Sequence, residues 1–136
     1  MSTMSTRTYL KPGWFSRTIA NPLTLKIGAA SELTVRGRKS GNPHSVPVTP
    51  IEVDGAFYLV APRGVTDWVL NLRASGEGEL KHKRETWRLT AEEQTGDHRA
   101  RIVSEYQRQL GKMVANYFRE LPDPSDHPTF RLHRLK

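Results

Sequence analysis

The pair Asp54-Gly55 stands between two runs rich in β-forming residues, "HSVPVTPIEV" and "AFYLVAP". A two-residue hairpin turn whose twist matches that of its strands needs positive φ at both central positions, and Asp-Gly meets that need at little cost. Residues 44 to 62 therefore read as an antiparallel pair, and a chain with a tight hairpin at its centre builds antiparallel sheet around it. Pro47 and Pro50 fall inside the first run. Proline has no N–H to give to a ladder, so that strand is expected at a sheet edge, with a bend or a bulge, as at the open seam of a barrel.

Strand patterns continue on both sides. Upstream, "SELTVRG" alternates into "GRKSGN"; downstream, "GELKHKRETWRLTAEE" reads as a second hairpin with strands near 79 to 83 and 86 to 91, and "TFRLHRL" as a last strand. Between the hairpins, "TDWVLNLRAS" predicts a helix capped by Thr66 or Asp67, with Trp68, Asn71 and Leu72 on one side. Ile102, Val103, Tyr106, Leu110, Met113, Val114, Tyr117, Phe118 and Leu121 recur at steps of three and four, which predicts one long helix from 98 to 120 lying on the sheet. Residues 1 to 28, interrupted by Pro12 and by Asn21-Pro22, read as a helical leader with a short helix expected around 14 to 20. The expectation is a mainly β, α+β fold: a small barrel or twisted sheet with helices attached, as a single domain over 1–136.

With no cysteine in the chain, disulfides, thiolate metal sites and cysteine nucleophiles are excluded. No run reaches the roughly 20 apolar residues of a membrane-spanning helix, and the first residues lack the order of a secretory signal, so a cytoplasmic location is the default. The net charge of +7 points to an anionic partner: nucleic acid, an acidic membrane surface or a phosphorylated cofactor. A nucleic-acid module rests on that charge alone, since no aromatic motif stands on a strand face.

The chain carries no serine nucleophile elbow, phosphate-binding P-loop, zinc helix motif or acidic calcium loop. Its histidines have no metal-like spacing, and its carboxylates are interleaved with basic residues, so no acid/base dyad stands out. What remains is "GRKSGNPHSVPV". Gly37 and Gly41 let the backbone turn and approach a ligand, while Arg38, Lys39 and the Ser40 hydroxyl supply donors for phosphate or carboxylate oxygens. The plainer alternative is a basic hairpin tip whose glycines serve only the turn. A second patch, Arg63-Gly64 of "VAPRG", lies just before the helix beginning at Asp67, where free N–H groups favour an anion.

"PGWFSR", "NPL", "LTVRGRKSGNPHSVPV", "VDGAFYLVAPRG", "DWVLNLRASGEGEL" and "HPTFRL" follow one another along nearly the whole chain. Together they resemble the deazaflavin-dependent nitroreductase family, actinobacterial proteins that use reduced coenzyme F420. The resemblance implies a split β-barrel of the FMN-binding, flavin-reductase kind. It also implies hydride transfer to an electron-poor acceptor such as a quinone, an enone or a nitro compound. By similarity, Arg38, Lys39, Ser40 and Gly41 hold the phosphate and oligoglutamate tail, and His44, Pro47 and Val48 line the same groove. Ala61, Pro62, Arg63 and Gly64 run beside the deazaflavin, and Trp68 and Asn71 complete the pocket; Tyr117 is a candidate for orienting the acceptor, its alternative being a core tyrosine. No protein nucleophile is needed, because the cofactor carries the difficult step. The alternatives kept beside this reading are FMN as cofactor, and a non-catalytic carrier of lipid or flavin-type ligands on the same barrel. Peripheral membrane contact through the leader belongs with them.

Overall fold

The computed structural model of the chain describes residues 31–135; the leader expected over 1–28, with its helix, lies outside them. The described elements run β1 (Ser31–Arg36), β2 (Pro43–Val48), β3 (Ile51–Val53), β4 (Ala56–Val60), α1 (Asp67–Ser75), β5 (Glu77–His82), β6 (Glu85–Gln94), α2 (Gly96–Leu110), α3 (Ala115–Glu120) and β7 (Thr129–Arg134). The strands form one sheet in the order β2-β1-β5-β6-β7-β4-β3, and every neighbouring pair is antiparallel. The sheet curls into the half-closed form of a split β-barrel.

The Asp54-Gly55 turn is where the sequence puts it, with φ of 52° and 81° and Val53 facing Ala56 across β3 and β4. The strand before it is shorter than expected. Residues 44 to 53 do not make one strand: the chain breaks at Thr49-Pro50, and the two pieces lie at opposite ends of the sheet, β2 against β1 alone and β3 against β4 alone. Pro50 lacks a donor and disfavours a helical Thr49, and both residues stand outside any strand. Pro47 sits in β2, an edge strand with one neighbour, where its missing N–H is harmless. The two prolines thus mark where the sheet folds over on itself.

The long helix is also divided. α2 ends at Leu110, Gly111 takes φ 52° and ψ −121°, a 3-10 turn covers Gly111–Met113, and α3 follows. A helix cannot continue through that backbone conformation. The apolar spacing survives the break, because Val114 and Phe118 rejoin the cluster that holds Ile102, Val103 and Tyr106. The second hairpin turns at Lys83-Arg84, and the last strand, β7, is inserted between β6 and β4 instead of closing an edge.

Two cores result. Leu33, Leu59, Leu72, Leu80, Leu89 and Phe130 fill the inside of the curl with α1 against them, while Tyr58, Val60, Ile51 and Val53 meet α2 and α3 on the outer face. β4 contributes to both because successive side chains leave opposite faces of a strand. Each fully buried leucine contributes about 2 kcal/mol by area removed from water, so these cores fix the rims on which the site is built.

Candidate functional site

A cleft of about 1020 Å³ opens between the β1–β2 turn, the start of α1, the segment after β4 and the α2–α3 junction. That exceeds the space most small-ligand pockets offer, so it has room for a long or multi-part ligand.

The β1–β2 turn forms one rim. Gly41 donates its N–H to the Gly37 carbonyl at 2.9 Å and Gly37 donates to the Asn42 carbonyl at 2.7 Å, with the Asn42 N–H donating to Ser40 Oγ at 3.1 Å. A Cβ at Gly37 would meet the His44 ring at 2.7 Å and the Asn42 carbonyl oxygen at 3.2 Å, so the imidazole lies over a bare Cα. Gly41 has φ 78° and supplies the left-handed step of the turn.

Arg38 is not a free cation. Its backbone N–H and its Nη1 both donate to Asn71 Oδ1, at 3.0 and 2.7 Å, and Nη2 lies 3.4 Å from Asp67 Oδ1. Asn71 is buried on α1, so this clamp ties the turn to the helix. The Asp67 contact adds little, since that carboxylate is fully in solvent. Lys39 and Arg63, both exposed cleft residues, form no ion pair among the described residues. They leave the rim positive. Arg38 and Lys39 both line the cleft, but Arg38 reaches it already bonded to the buried Asn71.

α1 supplies the floor. Trp68 packs on Phe130 at 6.1 Å between ring centroids and keeps part of its surface toward the cleft. Thr66 is the N-cap, yet its side chain makes no capping bond, and its buried Oγ1 finds no partner among the described residues. A buried hydroxyl in that state costs energy unless something else bonds it.

The far wall comes from α2, the 3-10 turn and α3: Tyr106, Leu110, Met113, Val114 and Tyr117. Met113 and Tyr117 are exposed at 52% and 40%, so both present their side chains to the cleft mouth. Burial, with Tyr117 close by as a second cause, pushes the Tyr106 hydroxyl above its ordinary range. Tyr106 thus stays a neutral hydrogen-bond donor at physiological pH.

Of the residues singled out from sequence, Arg38, Lys39, Ser40, His44, Pro47, Val48, Pro62, Arg63, Trp68, Asn71 and Tyr117 line this one cleft. Gly41, Ala61 and Gly64 do not. Ala61 is buried and gives its N–H to the Pro128 carbonyl at 2.9 Å, with Gly64 donating to the Ala61 carbonyl at 3.3 Å; Gly64 takes φ 83°, and a Cβ there would lie 3.5 Å from Leu121 and the Asp126 carbonyl oxygen. Both shape the turn that carries Pro62 and Arg63. Sequence reasoning missed Thr66, Tyr106, Leu110, Met113 and Val114 as wall residues, because their periodicity or position read as cap and core. Among the described residues no group of three His, Asp or Glu is placed to hold a metal ion.

Residues 11–120 match the family described as F420H(2)-dependent quinone reductase. Among solved structures, the chain is similar to an F420-H2 dependent reductase, FDR-A, at 22% identity and TM-score 0.62, over 77% of this chain and 94% of that one. It is also similar to the heme storage protein HutZ from Vibrio cholerae, at 10% identity and TM-score 0.60, over 85% of this chain and 87% of that one. A third is a FAD-binding protein from Mesorhizobium loti, at 13% identity and TM-score 0.54, over 87% and 91% of the two chains. At these identities the likeness is one of fold.

Proposed function

The chain belongs to the F420H(2)-dependent quinone reductase family, a family of oxidoreductases whose cofactor is F420, and from that premise we propose that the cleft holds reduced F420 beside an electron-poor small molecule. The acceptor class is a quinone, an enone or a nitro compound. Membership in an enzyme family sets aside the non-catalytic carrier, and it favours F420 over FMN.

The residues present fit such a cofactor. Its phosphate and glutamate carboxylates need cations and hydroxyls, and Lys39, Arg63 and Ser40 stand on the cleft rim. Its planar head needs an apolar face, which Trp68, Val46 and Val48 offer, and the orphan Thr66 Oγ1 awaits a polar partner. When bound, the reduced deazaflavin supplies the hydride.

The chain's own residues do the rest. Lys39 and Arg63 draw in the acidic tail, and they act at a distance because neither pairs with a carboxylate among the described residues. Arg38 works through Asn71 to hold the turn against α1, so the rim keeps its place relative to the floor. Tyr106 and Tyr117 offer hydroxyls where negative charge develops on an acceptor oxygen, the role that fixed donors play in stabilising a transition state. Leu110, Met113 and Val114 exclude water and favour a hydrophobic acceptor over a hydrated one.

One observation carries the reading: a positive rim and an apolar, tyrosine-bearing wall share a single cleft. The test is turnover with reduced F420 against a panel of quinones, enones and nitroaromatics, followed by the rise in visible absorbance as the deazaflavin is oxidised. Acceptor-dependent oxidation is expected. Absence of both turnover and F420 binding at tens of micromolar would end the proposal.

A further inference from the structure

His127 is fully buried between the turn that follows β4 and the residue that follows α3. Its Nδ1 is 2.9 Å from the Ala61 carbonyl oxygen and its Nε2 is 2.7 Å from the Leu121 carbonyl oxygen. Its ring stacks on Phe118 at 4.2 Å between centroids. Ala61 opens the turn that carries Pro62 and Arg63 into the cleft. Leu121 follows α3, and its N–H donates to the Tyr117 carbonyl at 2.9 Å.

We propose that His127 is the positioning residue that holds the cofactor-side turn and the acceptor-side helix in fixed relation. The inference rests on the reading of the cleft given above. A carbonyl oxygen only accepts, so both contacts are hydrogen bonds when both ring nitrogens carry hydrogen. Filling the same volume needs no histidine: a phenylalanine would also stack on Phe118 without burying polar atoms. What the imidazole adds is a pair of donors at opposite ends of one rigid ring, each reaching a different wall. Neither Asn nor Gln reproduces both, since the amide nitrogen of Asn stands where Nδ1 does and that of Gln where Nε2 does.

The test uses that asymmetry. His127→Asn keeps the tie to Ala61 and frees Leu121, so the KM for the acceptor rises while the Kd for F420 holds. His127→Gln does the reverse. Each lost tie is expected to move its own constant by about tenfold, the worth of one hydrogen bond of ordinary net strength. Both constants moving together in both variants, or neither moving, would overturn the proposal.

If the variants fail to fold, proton NMR of the wild-type chain decides. Slowly exchanging N–H signals from both His127 ring nitrogens support the double tie, and a ring carrying hydrogen on one nitrogen alone refutes it. That readout does not involve cofactor. A wild-type chain that shows both signals yet binds no F420 would therefore condemn the reading of the cleft while leaving the tie itself intact.

Discussion

Removing the clamp between Arg38 and Asn71 separates a structural arginine from a ligand-binding one. Asn71→Ala deletes an acceptor that serves two donors, the Arg38 guanidinium at 2.7 Å and the Arg38 backbone N–H at 3.0 Å. A hydrogen bond to a charged donor is worth about 1.5–3 kcal/mol and a neutral one about 1 kcal/mol. Asn71 is 6% exposed, but the Arg38 side chain keeps 26% of its surface, so the guanidinium recovers some hydration when released. The expected loss is about 2–3 kcal/mol for Asn71→Ala and about 1–2 kcal/mol for Arg38→Ala, which removes only the charged bond. Urea unfolding of wild type, both single variants and the double variant yields a coupling energy of about 1–2 kcal/mol. An additive cycle, within about 0.5 kcal/mol, would mean that the two side chains do not hold one another and that Arg38 is free to face a ligand. The same variants carry a second readout: Arg38→Ala removes a cleft-lining charge that the neutral Asn71 amide leaves in place, so it should lower the salt dependence of F420 binding, whereas Asn71→Ala should not.

Lys39→Ala is expected to flatten that salt dependence and weaken F420 binding with little change in stability, as an exposed and unpaired cation does; an unchanged slope places the acidic tail elsewhere. Gly37→Ala should cost less than about 1 kcal/mol, because the group it strikes is the movable end of His44, yet it should swing that ring and change F420 affinity; fluorescence titration beside thermal melting separates the two effects. Tyr106 gives a pH test. Its hydroxyl is held above the ordinary value of about 10 by burial, so above that value the unfolded chain has lost the proton that the folded chain keeps. The unfolded state then binds fewer protons, and stability falls as pH rises through the alkaline range. Tyr106→Phe should flatten that fall, and an equally steep decline would show that another group causes it.

The fold was legible in the sequence wherever one local requirement allowed a single solution. Asp54-Gly55 had to be a hairpin turn, and the alternation of "GELKHKRETWRLTAEE" had to be a hairpin. The periodic run after Gly96 had to lie against the sheet. What was not legible depended on partners far along the chain. Whether "HSVPVTPIEV" is one strand or two is decided by its neighbours: β1 takes the first part and β4 the second, at opposite ends of the sheet. Periodicity ran on through Gly111 because both sides of the break return to one core, which conceals a change of backbone that only φ records.

The site divides in the same way. Residue type located the cationic turn and the Ala-Pro-Arg-Gly segment, and eleven of the fourteen residues named for the site line the cleft. Charge alone could not say that Arg38 faces Asn71 while Lys39 faces outward, since that follows from which side of the turn meets α1. The tyrosine and methionine wall was hidden for a related reason: on an amphipathic helix, positions that border a cleft carry the same spacing as positions that fill a core.

Equilibrium binding of F420 to the wild-type chain, measured across a range of salt beside a deazaflavin lacking phosphate and glutamates, tests the central claim most directly. The account predicts tight, salt-sensitive binding of the intact cofactor and weaker, nearly salt-independent binding of the bare head, because Lys39 and Arg63 meet the acidic tail while Trp68 meets the ring. Equal affinity and equal salt dependence for the two would contradict it.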